Sequence, residues 1–261
     1  MSLRAGELRF GYTPARRVID DVSIDVPVGA AVGVLGPNGS GKTTLLRLLS
    51  GSLIPDAGSV TLDGTPLASI GPRSLARRIA IVPQETSLAF DYSALEIVLM
   101  GRYPHLGAFE VEGPQDLAIA MAALDATGTR ALADRAFRSL SGGEKQRVII
   151  ASALAQTDNA RESGSAAPPG LLLLDEPTAS LDLRYQIEIG ALVTRLRRER
   201  GVTVLLSTHD LHFAASVCTE IVMLASGRVL ARGVPGEILT PERVGALYGI
   251  DAAVAAPLVA R

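Results

Sequence analysis

The sequence is poor in cysteine. Its 261 residues include a single one, Cys218, which excludes an internal disulfide bond and favours a reducing compartment. Cys218 lies in an apolar stretch, where a lone cysteine is typically a small buried side chain. We therefore expect it to pack in the core.

Long apolar runs are also missing. No uninterrupted apolar segment approaches the about 20 residues that a helix needs to span a bilayer. The first residues, MSLRAGE, have no apolar core of the kind found in signal peptides. We therefore expect any function at a membrane to depend on a membrane-bound partner.

Positive charge is not in excess either. Lysine and arginine number 25 against 27 aspartates and glutamates, a net charge of −2. A nucleic-acid surface requires a clustered basic face, so we expect no nucleic-acid partner. Small arginine clusters at 73–78 and 195–200 are interpreted as solvated helix faces. The 48% of hydrophobic residues suffices for the core of one large domain or two small ones.

A glycine-rich stretch fits the phosphate-binding loop pattern G-x-x-x-x-G-K-[ST]. It follows a predicted strand at 30–35 and opens a predicted helix at 44–49. Its glycines let successive N–H groups converge on one anion, and the helix N-terminus adds positive potential. We expect Lys42 to reach the β- and γ-phosphates of a nucleotide and Thr43 to bind Mg²⁺. The expected nucleotide-binding residues here are Gly36, Pro37, Asn38, Gly39, Ser40, Gly41, Lys42, Thr43 and Thr44.

The remaining pattern alternates strands with helices. Residues 6–64 predict short strands and turns around this loop. Residues 86–156 predict helices at 94–100, 114–127 and 144–156, the second with 117, 120, 121 and 124 on one face. Apolar strands at 79–82, 171–174 and 202–207 alternate with helices at 72–79 and 183–200, which indicates a parallel sheet covered on both faces. The polar stretch 157–170 predicts a flexible surface loop, and the Ala-rich end from Ala252 predicts a frayed terminus.

Two carboxylates follow the four leucines of the strand at 171–174. At the end of a parallel strand beside the phosphate loop, Asp175 is expected to hold the Mg²⁺ shell. Glu176 is expected to orient and polarise an attacking water. This pair makes nucleotide hydrolysis the predicted chemistry.

The stretch Leu140–Glu144, LSGGE, offers a second anion site. It combines a hydroxyl, open backbone N–H groups and a helix N-terminus. With it, the chain resembles the ATP-binding subunits of ATP-binding-cassette (ABC) transporters, whose signature sequence is LSGGQ. Glu144 stands at the position of the glutamine, as in some importer branches. The resemblance implies that Ser141, Gly142, Gly143 and Glu144 contact ATP in trans, across a head-to-tail dimer of two copies.

Further positions match the family one by one, over about 7–231. Tyr12 is similar to the aromatic residue that stacks on adenine. Gln84 matches the residue that senses Mg²⁺ and water, 179–182 matches the dimer-contact loop, and His209 matches the histidine that contacts the γ-phosphate. The resemblance thus implies Glu176, His209, Gln84 and Lys42 as catalytic residues, and Thr43, Gln84 and Asp175 as Mg²⁺ ligands.

The implied fold is α/β. It is an ABC cassette with a mainly parallel sheet in a RecA-like core, an N-terminal antiparallel β-subdomain and an inserted helical subdomain. The expected organisation is a single ATPase domain over 1–261. In it, 1–85 and 157–250 form the α/β core with the β-subdomain, 86–156 the helical signature subdomain, and 251–261 a C-terminal tail.

The implied function is hydrolysis of ATP to ADP and phosphate, with Mg²⁺, to drive transport. The implied partners are a second copy, polytopic permease subunits and, indirectly, a substrate-binding protein. The implied location is peripheral, on the cytoplasmic face of the inner membrane. Residues 101–105, GRYPH, resemble a segment in ATPases of iron-siderophore, haem and cobalamin importers, so a metal chelate is the expected cargo. An exporter, or an importer for another substrate, is the alternative.

Overall fold

A computed structural model describes residues 1–86, 88–159, 169–179 and 181–259. The N-terminal part forms a four-stranded antiparallel sheet in the order β2-β1-β4-β5. Its strands are β1 (Leu3–Phe10), β2 (Ile19–Val26), β4 (Ala57–Leu62) and β5 (Thr65–Pro66). Buried and exposed residues alternate along β1, with one interruption where the register shifts between Ala5 and Leu8. Glu7, at φ 51°, takes up the extra residue of this bulge.

A six-stranded sheet forms the core, in the order β10-β9-β3-β8-β7-β6. Its strands are β3 (Ala31–Leu35), β6 (Ile79–Val82), β7 (Leu171–Asp175), β8 (Thr203–Thr208), β9 (Glu220–Ala225) and β10 (Arg228–Gly233). All neighbours run parallel except β10, which forms a hairpin with β9. Every residue of β3, β7 and β8 is buried. The predicted parallel sheet is confirmed, whereas β9 and β10 were not predicted.

Helices cover both faces of this sheet. They are α1 (Lys42–Leu49), α2 (Pro72–Ala76), α3 (Ala94–Met100), α4 (Pro114–Ala126), α5 (Gly142–Thr157), α6 (Leu183–Arg200) and α7 (Leu211–Val217). The two faces carry separate hydrophobic clusters. Leu171 and Leu173 of β7 pack with α1 and the N-terminal sheet, while Leu172 and Leu174 pack with the helical region. Successive strand residues therefore anchor opposite layers.

The buried face of α4 differs from the predicted one. Ala120 and Leu124 are fully buried as expected, but Leu117 is 45% exposed. The face that packs on α3 and α5 instead includes Ile119 and Ala123. An apolar side chain at helical spacing does not by itself define the core-facing stripe, because α4 is apolar on more than one side.

One segment ties the helical region to the core. Arg102 is fully buried, and its Nε donates to Asp116 at 3.1 Å, at the start of α4. The Pro104 carbonyl accepts hydrogen bonds from Nε of both Arg73 and Arg77, each at 2.7 Å. The expectation that the cluster at 73–78 is a solvated face holds for Arg73, which is exposed, but Arg73 and Arg77 also bridge α2 to this segment.

The C-terminal segment folds back onto the core. It forms α8 (Pro235–Ile238), α9 (Pro241–Tyr248) and α10 (Ala252–Val259). The expected frayed end is thus a helix, held because Ala255 is fully buried against its neighbours. The middle of the predicted loop 157–170, residues 160–168, lies outside the described residues. Within the described parts of the chain, no helix is both long and apolar enough to cross a membrane.

Cys218 packs in the core as predicted. Its side chain is 7% exposed and lies beside Gly33 of β3, where an added Cβ would come within 2.6 Å of the sulfur. Burial raises the pKa of the Cys218 thiol to about 12. The thiol therefore stays protonated and unreactive at neutral pH.

Candidate functional site

The glycine-rich loop, Gly36–Thr43, joins β3 to α1 at the C-terminal edge of the core sheet. Gly39 and Gly41 have φ of 78° and 106°, conformations that L side chains rarely adopt. Gly36 donates its N–H to the Thr208 carbonyl of β8, at 3.2 Å. A Cβ on Gly36 would lie 2.2 Å from the Leu224 carbonyl oxygen, so no side chain fits there. Close approach to β8 and β9 therefore sets the position of the loop.

Lys42 lies within the curve of this loop and is 4% exposed. Its Nζ donates to the carbonyl oxygens of Gly36 and Pro37, at 2.9 and 3.1 Å. The same ammonium group lies 3.1 Å from Glu176 Oε1. The cation that the sequence assigns to phosphate is thus paired, in this structure, with a carboxylate of the same site.

Asp175, the last residue of β7, meets two hydroxyl groups. Its Oδ1 accepts hydrogen bonds from Ser207 Oγ at 2.6 Å and from Thr43 Oγ1 at 3.2 Å. Parallel pairing places Asp175 opposite Ser207, and α1 presents Thr43 from the other side. A carboxylate beside a hydroxyl is an oxygen donor set of the kind that Mg²⁺ prefers, so the side chains fit this ion.

Ser207 was not among the predicted site residues. Besides its bond to Asp175, its Oγ accepts the backbone N–H of Glu176 at 2.9 Å. It therefore orients both carboxylate residues. Its signal in the sequence is weak, since it is a fully buried hydroxyl at the end of an apolar strand.

Glu176 has a left-handed backbone, with φ 45°. This conformation is uncommon for residues other than glycine and is often found at functional sites. Its side chain bridges two groups, because Oε1 faces Lys42 and Oε2 lies 3.0 Å from His209 Nδ1. The carboxylate is therefore held between the loop lysine and the histidine that follows β8.

These groups line a cavity of about 590 Å³, within the about 300–1,000 Å³ common for small-molecule sites. Gln84 contributes to its wall. Asp210 and Thr178, which were not predicted, line it as well. The predicted residues that line it are Asn38, Gly39, Gly41, Lys42, Thr43, Thr44, Gln84, Glu176 and His209.

Tyr12 lies beside this cavity. Its hydroxyl is 3.2 Å from Thr44 Oγ1, and the side chain is 58% exposed. Phe10 packs edge-on against its ring, with the ring centroids 5.0 Å apart. An exposed aromatic ring that packs against Phe10 and lies next to the phosphate loop offers a surface on which a planar base can stack.

The serine–glycine stretch at the start of α5 lies elsewhere. Ser141, Gly142, Gly143 and Glu144 are described by the structure but are not among the residues that line the cavity. They pack instead against the start of α6, where a Cβ on Gly143 would come within 2.1 Å of the Tyr185 ring. Ser180, in the expected dimer-contact loop, lies outside the described residues. A single chain therefore does not bring its two predicted anion sites together.

Glu144 has a defined structural role. Its carboxylate accepts the Ser141 N–H at 2.8 Å, and Ser141 Oγ accepts the Glu144 N–H at 3.3 Å. This reciprocal pair is a capping box at the N-terminus of α5. The hydrogen bonds from Ser141 lower the pKa of the Glu144 carboxyl, and the nearby charge of Arg135 lowers it further.

Comparison with known families shows which proteins this chain resembles. The family model described as "ABC transporter" matches residues 19–179. The hemin import ATP-binding protein HmuV of Myxococcus xanthus is 44% identical over 234 residues, which are 90% of this chain and 85% of that protein. The cobalamin import ATP-binding protein BtuD of Halobacterium salinarum is 43% identical over 238 residues, which are 91% of this chain but only 56% of that longer protein.

Solved structures show the same fold. A metal-chelate type ABC transporter in an inward-facing conformation superposes with a TM-score of 0.80 at 34% identity, covering 94% of this chain and 88% of that one. A bacterial ABC transporter cassette solved as a dimer superposes with a TM-score of 0.74 at 27% identity, covering 89% and 98%. The predicted α/β fold, with its N-terminal antiparallel sheet and parallel core sheet, is confirmed.

Proposed function

Because this chain is an ATP-binding ATPase of the ABC transporter family, we propose that it drives the import of a metal chelate through a separate permease. One observation carries the catalytic part of this proposal. Lys42 Nζ lies 3.1 Å from Glu176 Oε1 and His209 Nδ1 lies 3.0 Å from Glu176 Oε2, so side chains from three separate segments meet at one cavity. Phosphoryl transfer requires positioned charge of this kind and little else.

The phosphate-binding groups come first in the proposed mechanism. The loop N–H groups and the N-terminus of α1 bind the phosphates, and Lys42 exchanges its contact with Glu176 for the β- and γ-phosphate oxygens. Thr43, Asp175 and Gln84 would hold Mg²⁺. When bound, this ion neutralises charge that develops on the phosphates. Tyr12 stacks on adenine.

Glu176 and His209 act on the reaction itself. Once Lys42 has turned to phosphate, the Glu176 carboxylate is free to orient a water molecule and accept its proton. His209 contacts the γ-phosphate from the loop after β8. Gln84 lines the same cavity, where we assign it the sensing of Mg²⁺ and water.

A second copy of the chain is required to complete the site. The separation of Ser141–Glu144 from the cavity supports this, as does the dimeric cassette of similar fold. In the proposed head-to-tail dimer, the serine–glycine stretch of one subunit closes over the nucleotide of the other. Closure driven by ATP is the power stroke, and hydrolysis resets it.

Gly143→Ala tests whether the serine–glycine stretch is needed for hydrolysis but not for ATP binding by the monomer. The new Cβ would displace α5 from the Tyr185 ring, so we expect at least a tenfold loss of hydrolysis with little change in ATP affinity of the monomer. Gly71→Ala is the matched control, because its Cβ would meet no atom of the described residues within 4 Å and Gly71 does not line the cavity. Calorimetric titration with ATP and steady-state phosphate release measure the two effects. Equal losses of monomer affinity and of rate would contradict a site completed in trans.

The cargo and partners are proposed from sequence relatives and from the helical region. The relatives named for hemin and cobalamin import, and the resemblance of GRYPH at 101–105 to such ATPases, support a metal chelate: haem, an iron siderophore or cobalamin. Exposed apolar side chains between Gln84 and Ser141 offer contact area for a permease: Phe90, Tyr103, Phe109 and Val111. The chain would then be peripheral, on the cytoplasmic face of the membrane, with a substrate-binding protein on the other side.

Reconstitution tests this assignment. The chain should co-purify with the polytopic permease encoded beside it. In proteoliposomes, its ATPase rate should rise when the neighbouring binding protein carries hemin, ferrichrome or cyanocobalamin, and the chelate that stimulates identifies the cargo. Stimulation by a substrate added on the cassette side, without any binding protein, would instead indicate an exporter. No binding of nucleotide at millimolar Mg-ATP would refute the proposal at its base.

A further inference from the structure

Tyr248, at the end of α9, reaches the catalytic edge from outside every sequence motif. Its phenol donates a hydrogen bond to the backbone carbonyl of His209, at 2.7 Å. The helix that carries it is fixed, because Val244 and Leu247 are buried in the core. Gly249, at φ 69°, ends the helix directly after Tyr248. The fixed helix α9 therefore places the Tyr248 hydroxyl at the loop that carries His209.

The protonation state of the Tyr248 phenol suits a permanent hydrogen-bond donor. Burial raises the pKa of Tyr248 to about 12, and the negative charges of Asp210 and Glu176 act in the same direction. The hydroxyl therefore keeps its proton throughout the neutral range.

His209 needs such support because of where it lies. Its side chain is 53% exposed, on the short loop between β8 and α7, so packing alone does not hold its direction. The next residue is anchored on both sides, since the Asp210 N–H donates to Thr208 Oγ1 at 3.0 Å and Asp210 Oδ1 accepts from Phe213 N at 2.9 Å. The bond from Tyr248 holds the His209 peptide itself.

The C-terminal segment lines a cavity beside this contact. Tyr248, Ile250 and Leu258 line a small cavity of about 490 Å³ together with His209 and its neighbours Leu211 and His212. The residues after α8 thus form one wall of the His209 loop.

We propose that Tyr248 is a positioning residue for hydrolysis. By fixing the His209 carbonyl, it keeps the imidazole at the Glu176 carboxylate and directed to the γ-phosphate. This inference rests on the proposed role of His209. Tyr248 is not among the residues that line the cavity beside the phosphate loop, so we expect it to affect the rate of the chemical step and not the affinity for ATP.

Tyr248→Phe, which keeps the ring and removes the donor, tests this role in the full-length chain. Loss of one positioning hydrogen bond is expected to lower kcat about three- to tenfold, with KM for ATP unchanged and the melting temperature lowered by no more than about 2–4 °C. Tyr92→Phe, which removes the hydroxyl of another half-buried tyrosine, is the control and should keep the wild-type rate. In a His209→Ala background, Tyr248→Phe should cause no further loss, because its effect passes through His209.

The outcomes distinguish a failure of the inference about Tyr248 from a failure of the proposed role of His209. A slower His209→Ala beside an unaffected Tyr248→Phe would overturn the inference alone. So would an equal loss from Tyr248→Phe with and without His209, because Tyr248 would then act independently. A His209→Ala variant with the wild-type rate would overturn the role of His209 and the inference together.

Discussion

Glu176→Gln is expected to lower the rate of ATP hydrolysis by about 10²–10⁴, the usual loss when one general base is removed. The glutamine is nearly isosteric, so the left-handed backbone and the bond from its N–H to Ser207 are retained. ATP affinity should stay equal or rise. The reason is that Lys42 no longer has an anionic partner 3.1 Å away that competes with phosphate.

Rapid-quench hydrolysis assays and size-exclusion chromatography with Mg-ATP measure these effects together. The variant should accumulate as a nucleotide-bound dimer, because closure occurs but the resetting step does not. Glu199→Gln, on the exposed end of α6, makes the same chemical change away from the cavity and should leave the rate unaltered. Wild-type turnover in Glu176→Gln would show that another group activates the water.

Arg102→Met is expected to destabilise the protein by about 3–5 kcal/mol, because it leaves a buried carboxylate without its cation. Both Arg102 and Asp116 are fully buried, and Arg102 also donates to the carbonyls of Ala155 and Asp158 at the end of α5. The substitution therefore releases three contacts at once. For a chain of this size, a lower melting temperature by on the order of 10 °C follows.

Calorimetry and urea denaturation followed by circular dichroism would measure this loss. Arg130→Met is the matched control, since its ion pair with Asp125 is about half exposed and such pairs contribute only about 0–1 kcal/mol. Arg102→Met with Asp116→Leu should be more stable than Arg102→Met alone, because the stranded charge is gone. Equal stability of Arg102→Met and Arg130→Met would refute the idea that GRYPH serves as a buried tie.

The burial of Arg102 limits the interpretation of residues 101–105 that was based on the motif. The sequence indicated a segment typical of one importer branch. In the structure, Arg102 and His105 are buried, and His105 Nε2 lies 2.8 Å from the Gln156 carbonyl. Only Tyr103 of these side chains is largely exposed. A motif match reports which residues occur together, but not which side of the chain each one faces.

Local chemistry explains what could be predicted. Strong period and turn signals gave α3 and α6 their predicted bounds, and each begins at a capping residue, Ser93 and Asp182. The strands beside the site were likewise predicted to within a residue or two. The β9–β10 hairpin escaped prediction because a short apolar run such as 221–224 does not by itself distinguish a strand from a helix segment.

The sequence by itself determined the phosphate loop, the paired carboxylates and the serine–glycine stretch, because each is a contiguous run whose chemistry depends on nearest neighbours. Only the tertiary structure decided how they combine. Parallel pairing sets Ser207 beside Asp175, the fold of α9 brings Tyr248 to His209, and the packing of α5 on α6 keeps Ser141 away from Lys42. These relations involve residues that are 32 (Ser207 and Asp175), 39 (Tyr248 and His209) and 99 (Ser141 and Lys42) positions apart, and no local pattern encodes them.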